Sequence, residues 1–263
     1  MNDLLQTVRT ESSVESFLTS CDGVDAVEIR KESTDTRAWF VTGNGQAYFC
    51  KWVETTRYEA LLAKDVAICS QQLHPCIPRL LNVVQTTDGV LLVFERVQGE
   101  TLVTSEARAR FFALPVEEKL QALHHLFMAL TAIVEAGWIM VDFYDGNVIY
   151  DFAARAVHVF DFELFERGDG FTLELDRNYG SRRLMAPEEF VRGAWIDQRS
   201  NVYTLARYAI CALSTRTDEL WPSEFQGNTP LAEVLRIATR TTPSHRYSTA
   251  RAFLENFIAA VNR

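Results

Sequence analysis

The chain has 263 residues, 48% of them hydrophobic and 23% charged, with a formal charge of −9 and a pI near 5.1. That length and balance allow a sizeable buried core and exclude a disordered or collagen-like chain. The acidic excess argues against a nucleic-acid partner, which needs a basic face. No apolar run reaches the ~18–20 residues of a membrane span, and the N-terminus lacks a signal peptide's apolar stretch. Five cysteines, Cys21, Cys50, Cys69, Cys76 and Cys211, are widely spaced and form no CxxC pair. They read as reduced core thiols of a cytoplasmic protein that neither enters nor binds a membrane.

Residues 1–20 carry a weak helical period, suited to a short docking helix. Three β-like runs follow at Ala26–Lys31, Arg37–Thr42 and Gln46–Val53. Gly43-Asn44-Gly45 turns between the last two. It opens a strand rather than a helix, so it is not a phosphate loop. Helical character is predicted over Thr56–Gln72, ended by His74-Pro75. Strands fit Leu80–Gln85 and Val90–Glu95. Beyond Gly99, Pro115 suits the first position of a helix whose buried face carries Leu120, Leu123, Phe127, Leu130 and Val134. A second hairpin fits Asn147–Tyr150 and Ala156–Phe160. Helices are predicted at Asn201–Leu213, Pro230–Thr239 and Thr249–Val261. The division this suggests is a sheet-rich portion at 1–95, a hinge at 96–102 and a helical portion at 103–263.

Two stretches carry chemistry. Asp142-Phe143-Tyr144-Asp145-Gly146-Asn147 is followed, after the hairpin, by Asp161-Phe162-Glu163. Each alone is an ordinary turn or strand end. In this order, one loop offers a carboxylate and an amide, and the next offers a second carboxylate. Asp142 can accept a hydroxyl proton while Asn147 and Asp161 hold Mg2+ through oxygen. The other stretch is Ala47-Tyr48-Phe49-Cys50-Lys51-Trp52. A lysine in an apolar strand is costly to bury unless its charge is used. Either it points to solvent from an edge strand, or a carboxylate such as Asp65 holds it against phosphates.

These stretches resemble those of eukaryotic-type serine/threonine protein kinases from about residue 24 to the C-terminus. The resemblance implies an α+β, two-lobed protein-kinase-like fold, with a small sheet-bearing lobe and a larger helical one. It implies that Lys51 contacts ATP phosphates and that Asp65 pairs with it, with Glu59 as a rival. In Leu92–Gly99 it implies adenine contacts from the Glu95 carbonyl and the Val97 amide, with Phe94 as gatekeeper. Gly180-Ser181-Arg182-Arg183-Leu184-Met185-Ala186-Pro187-Glu188 resembles the end of an activation segment. Ser200–Ala206 resembles the core helix after it, and Pro243–Ser248 supplies an arginine, Arg246, expected to pair with Glu188.

The departures are specific. No glycine lies between Ala26 and Phe40, so Arg30, Lys31 or Ser33 would have to replace amides that normally meet phosphate. Val141 stands where an arginine usually precedes the catalytic aspartate. Tyr144 replaces a lysine, Glu163 a glycine, and Asn201 an aspartate that braces the loop. The acceptor implied is a protein Ser/Thr hydroxyl. A small-molecule acceptor, as in aminoglycoside or choline kinases, and a catalytically weak binding role remain as alternatives.

Overall fold

Alternation along residues 36–54 places one set of side chains on each face of a sheet, and both faces are apolar enough to be covered. The computed structural model describes residues 3–29, 36–43 and 45–263. Contacts group these into two units, residues 1–73 with 77–97, and residues 74–76 with 98–263. Among the described residues, no helix is long and apolar enough to cross a membrane.

In the first unit, helix α1 (Val14–Ser20) precedes strands β1 (Val24–Ile29), β2 (Thr36–Gly43) and β3 (Gln46–Glu54). Short helices α2 (Tyr58–Leu61) and α3 (Ala63–Cys69) lead to β4 (Leu80–Gln85) and β5 (Gly89–Glu95). The strands make one antiparallel sheet in the order β1-β2-β3-β5-β4. Tyr48, Cys50 and Trp52 of β3 join Trp39, Val41, Leu91 and Val93 in a core that Val14, Phe17 and Leu18 of α1 cover. Ser13 caps α1 by accepting from the Ser16 amide. The weakly periodic N-terminus therefore forms a helix because the sheet supplies its apolar partner.

The single helix expected over Thr56–Gln72 is instead a 3-10 turn at Thr55–Arg57 followed by α2 and α3. The break falls at Leu62, with φ −123° and a fully buried side chain. The β-branched pair Thr55-Thr56 starts this stretch weakly, and burying one leucine outweighs helical continuity. Arg30, Lys31 and Ser33, and Asn44 of the hairpin turn, lie outside the described residues. Gly45 sits at φ +76°, the left-handed conformation its turn requires.

The second unit begins with β6 (Glu100–Thr101), inside the segment expected to be a plain hinge. It then runs through α4 (Ser105–Phe112), α5 (Val116–Glu135), β7 (Trp138–Ile139), β8 (Val148–Asp151) and β9 (Ala156–Val159). Next come β10 (Glu166–Arg167), β11 (Gly170–Thr172), β12 (Trp195–Asp197), α6 (Gln198–Leu213), α7 (Thr229–Ala238) and α8 (Ala250–Val261). β6 pairs with β8, and β8 with β9, making a three-stranded sheet.

Pro115 occupies the cap of α5 in an extended conformation (ψ 144°) rather than the first helical position, and its carbonyl accepts from the Glu118 and Lys119 amides. Leu123, Phe127, Leu130 and Val134 are buried as their spacing predicts, while Leu120 is half-buried. Phe127 packs on Phe253 and Phe257 of α8, with ring centroids 5.8 and 5.2 Å apart. Lys119 is fully buried on the same helix. Its ammonium donates to the Phe112 carbonyl at 2.8 Å and to the Gln226 side chain, the two partners such a charge needs. All five cysteines are free, four of them buried and Cys211 half-buried.

Candidate functional site

β3 is the middle strand of five, so the edge-strand account of Lys51 does not hold. Cys50 and Trp52 face α1, and alternation turns Lys51 to the opposite face. There its ammonium donates to Asp65 of α3 at 3.0 Å, with both side chains buried. Glu59, the rival, is exposed on α2. Asp65 lies in the first turn of its helix, where the dipole also favours a carboxylate. In the same unit, Phe94 of β5 is buried and stacks obliquely on Phe49 at 6.3 Å. Glu95 receives Arg79 on its carboxylate at 2.8 Å, and Val97 is half-buried.

The second unit holds the paired loops. After β7 the backbone is fixed at Met140, whose N–H donates to Asn201 Oδ1 (3.0 Å) and whose carbonyl accepts from Asn201 Nδ2 (2.9 Å). An amide can satisfy both backbone groups at once. A carboxylate accepts only, so the neutral residue braces this loop without placing a second buried charge there. Asp142 follows at φ +60°, and Phe143 packs on Tyr208 of α6 with centroids 5.2 Å apart.

A 3-10 turn at Asp145–Asn147 then returns the chain to β8. Asn147 is buried, and its Oδ1 accepts from the Tyr144 amide at 2.9 Å. Gly146 lets the Tyr144 side chain lie close over the turn, where a Cβ would come within 2.5 Å of its phenol end. Across the β8–β9 hairpin, the Phe160 amide donates to the Asn147 carbonyl at 3.0 Å. That bond fixes the approach to Asp161, an exposed residue at φ +70°. Phe162 anchors the other side by packing edge-on against Phe165.

Asp142 and Asp161 are thus both non-glycine residues in the left-handed region, a conformation that costs free energy and persists only where its surroundings enforce it. Burial raises the Asp142 carboxyl, and the nearby negative charge of Asp161 raises it further. Arg177 partly offsets both, and the result is a value of about 6. A carboxylate so placed is a better proton acceptor near neutrality than an ordinary aspartate. Asn147 Oδ1 retains a lone pair beyond the Tyr144 bond, and Asp161, an exposed residue, carries a carboxylate. This all-oxygen donor set fits magnesium rather than a soft metal.

The segment after these loops is clamped by a residue that sequence reasoning missed. Glu189 is buried and accepts from the Ala186 amide (2.7 Å) and Asn178 Nδ2 (3.1 Å), while the Asn178 amide donates to the Glu189 carbonyl (2.8 Å). These bonds close residues 178–186 into a loop. Gly180, at φ +137°, brings that loop against Asp142, where a Cβ would sit 3.7 Å from the Asp142 Cα. Asp142, Gly180, Met185 and Glu189 share the wall of a small cavity. In sequence, Glu188-Glu189 reads as two acids in a helix's first turn, and nothing local separates the buried one.

Burial pushes the Glu189 carboxyl up to about 7. The unfolded chain then ionises first, so this residue makes stability fall as pH rises from about 4.5 to 7 and level off above. Glu189→Gln presents an N–H donor to one of its two donor partners and is expected to cost about 1–3 kcal/mol. It should also remove that slope from denaturant unfolding measured across the pH range. A wild-type slope that survives the substitution would assign it elsewhere.

Arg246 and Glu188 meet in a two-pronged pair, with bonds of 2.7 and 2.8 Å.

In comparison with known proteins, a stretch of 95 residues is 28% identical to serine/threonine-protein kinase dkf-2 of Caenorhabditis briggsae. The matched part is 31% of this chain and only 8% of the worm protein. No family profile matches the chain. The likeness is partial and points to a kinase relationship.

Proposed function

We propose that this protein is an ATP- and Mg2+-dependent phosphotransferase acting on serine or threonine hydroxyls of a protein. The observation that carries the reading is the pair of aspartates on adjoining loops, both in the left-handed region, with Asp161's charge raising Asp142. In this reading Asp142 orients the acceptor hydroxyl and takes its proton, while Asn147 and Asp161 hold the cation through oxygen. The bound cation would neutralise charge on the phosphates. Lys51, held by Asp65, would meet the nucleotide's α- and β-phosphates, and Glu95, Phe94 and Val97 would frame the adenine. The partial likeness to a serine/threonine kinase supports a protein acceptor over a small molecule.

The test is transfer from labelled ATP with magnesium to a generic protein substrate, beside nucleotide-induced thermal stabilisation. Lys51→Ala is expected to lower nucleotide affinity by about tenfold or more, since it removes a charge-assisted contact and leaves Asp65 buried without its ammonium. Full affinity and rate in that variant would remove Lys51 from the site. Transfer to aminoglycosides or choline with none to protein would reassign the acceptor.

A further inference from the structure

Beside the loop that carries Asp142 lies a small half-open cleft in the second unit. Arg108 and Phe111 of α4, Phe112, Asp145, Arg183 and Tyr208 line it. Asp145 is buried, and Arg183 donates to its carboxylate. Arg108 stands 3.7 Å from the same carboxylate, beyond hydrogen-bond reach, and binds the Leu102 and Val103 carbonyls instead.

Two guanidiniums therefore share one carboxylate, and the cleft carries an excess positive charge in a chain whose formal charge is −9. Both arginine side chains are accessible, at 44% and 37% exposure.

Position ties the cleft to Asp142. Asp145 lies three residues along the same loop, and Tyr208 packs on Phe143. Arg183 immediately precedes Leu184 and Met185, which line the cavity at Asp142. Arg207 of α6 fixes the Arg183 backbone by donating to its carbonyl at 3.0 Å. A peptide whose hydroxyl reaches Asp142 would pass this cleft within a few residues.

We propose that the cleft binds an anionic side chain, a carboxylate or a phosphoryl group, on the acceptor peptide near its target hydroxyl. Arg108 is the principal specificity-determining residue and Arg183 its neighbour. The planar guanidinium fork accommodates either group in a bidentate manner, so both sources share one chemistry. This specificity rests on the phosphotransferase reading, whereas the binding of the anionic side chain does not.

The experiment measures affinity by fluorescence anisotropy for alanine-rich peptides with one serine. One flanking position at a time carries Glu, phosphoserine, Ala or Arg, and phosphate transfer to the unblocked serine is assayed on the same set. The wild-type protein is expected to bind a Glu or phosphoserine peptide about tenfold tighter than its Ala counterpart, with the difference shrinking as salt rises. Which of the two binds tighter identifies the natural source. Arg108→Glu should erase the preference. Arg108→Gln keeps a donor for the Leu102 and Val103 carbonyls and should erase it too if the charge-reversed variant fails to fold. Asp145→Asn removes the competing carboxylate and should widen the preference.

Equal affinity of the wild-type protein for all four peptides overturns the proposal, as does a preference unaffected by Arg108→Gln. Anion-selective binding without phosphate transfer to any peptide or protein would leave the cleft standing and defeat the catalytic reading. Transfer without selectivity would do the reverse.

Discussion

Arg246→Ala is expected to destabilise the protein by about 3–5 kcal/mol, a large part of the ~5–15 kcal/mol that holds a typical domain folded. The Arg246 side chain is fully buried, and all five of its donors are used. Two go to the carboxylate of Glu188, and others reach the carbonyls of Arg240 (2.6 Å), Arg199 (2.9 Å) and Thr241 (2.9 Å). The guanidinium also lies 4.8 Å from the centre of the Tyr203 ring. Truncation strands a largely buried carboxylate that loses both of its guanidinium bonds and keeps the one from Ser200 at 2.7 Å, together with three carbonyls. The loss reflects those abandoned groups more than any intrinsic worth of the pair.

Replacing both partners by apolar residues of similar size should therefore cost less than Arg246→Ala alone, and a double-mutant cycle separates the two accounts. A pH signature accompanies it. Burial alone would raise the Glu188 carboxyl, but its bonds from Arg246 and Ser200 outweigh that and hold it below the ordinary value. Its stabilising contribution is present above the unfolded value of about 4.5 and is lost as pH falls through the lower folded value. Arg246→Ala should flatten the wild-type protein's acid sensitivity in that range. A variant that unfolds within about 1 kcal/mol of wild type would show the carboxylate is satisfied some other way.

What the sequence revealed and what it concealed divide along a physical line. Long amphipathic segments such as α5 and α8 were legible because one face must be apolar at a fixed period, and the sheet strands because alternation and turn residues coincide. The placement of Lys51 on a covered strand follows from the same alternation once β3 is known to be central. Helix α4 left no such trace. Its sequence, SEARARFF, has too few apolar positions to make a stripe, and it is held by its Thr104 cap and by burial of Ala107 and Phe111. The break at Leu62, the buried ammonium of Lys119 and the Glu189 clamp are tertiary facts, since each depends on a partner distant in sequence or on burial that no local pattern encodes. Arg183 and Asp145, 38 residues apart, meet only because the loop after β7 and the segment before α6 are both pinned to α6. Residues 30–35, which include the Arg30, Lys31 and Ser33 expected to replace the glycine-loop amides, lie outside the described residues.

Asp142→Asn is expected to lower turnover by about 10²- to 10⁴-fold while leaving nucleotide affinity within a few-fold of wild type, because the amide keeps the shape and loses the proton acceptor. In the wild-type protein, kcat/KM should rise with pH as the Asp142 carboxyl ionises near 6, then flatten. Its raised value means the active, ionised form is lost on the acid side of that point. Two causes of the shift are separable. Asp161→Asn removes the neighbouring negative charge, so in the metal-free protein the Asp142 titration followed by NMR should move down. It should remain above the ordinary ~3.9, because burial is the larger cause and persists. Asp161→Asn should also abolish transfer, since an amide there holds the cation more weakly. The proton acceptor is thus more fully ionised near neutrality while the rate is lost, a combination that no merely structural role for Asp161 would produce. An unshifted Asp142 titration would mean that the two carboxylates do not feel each other. Full turnover in Asp142→Asn would move the search for the proton acceptor to Asp145.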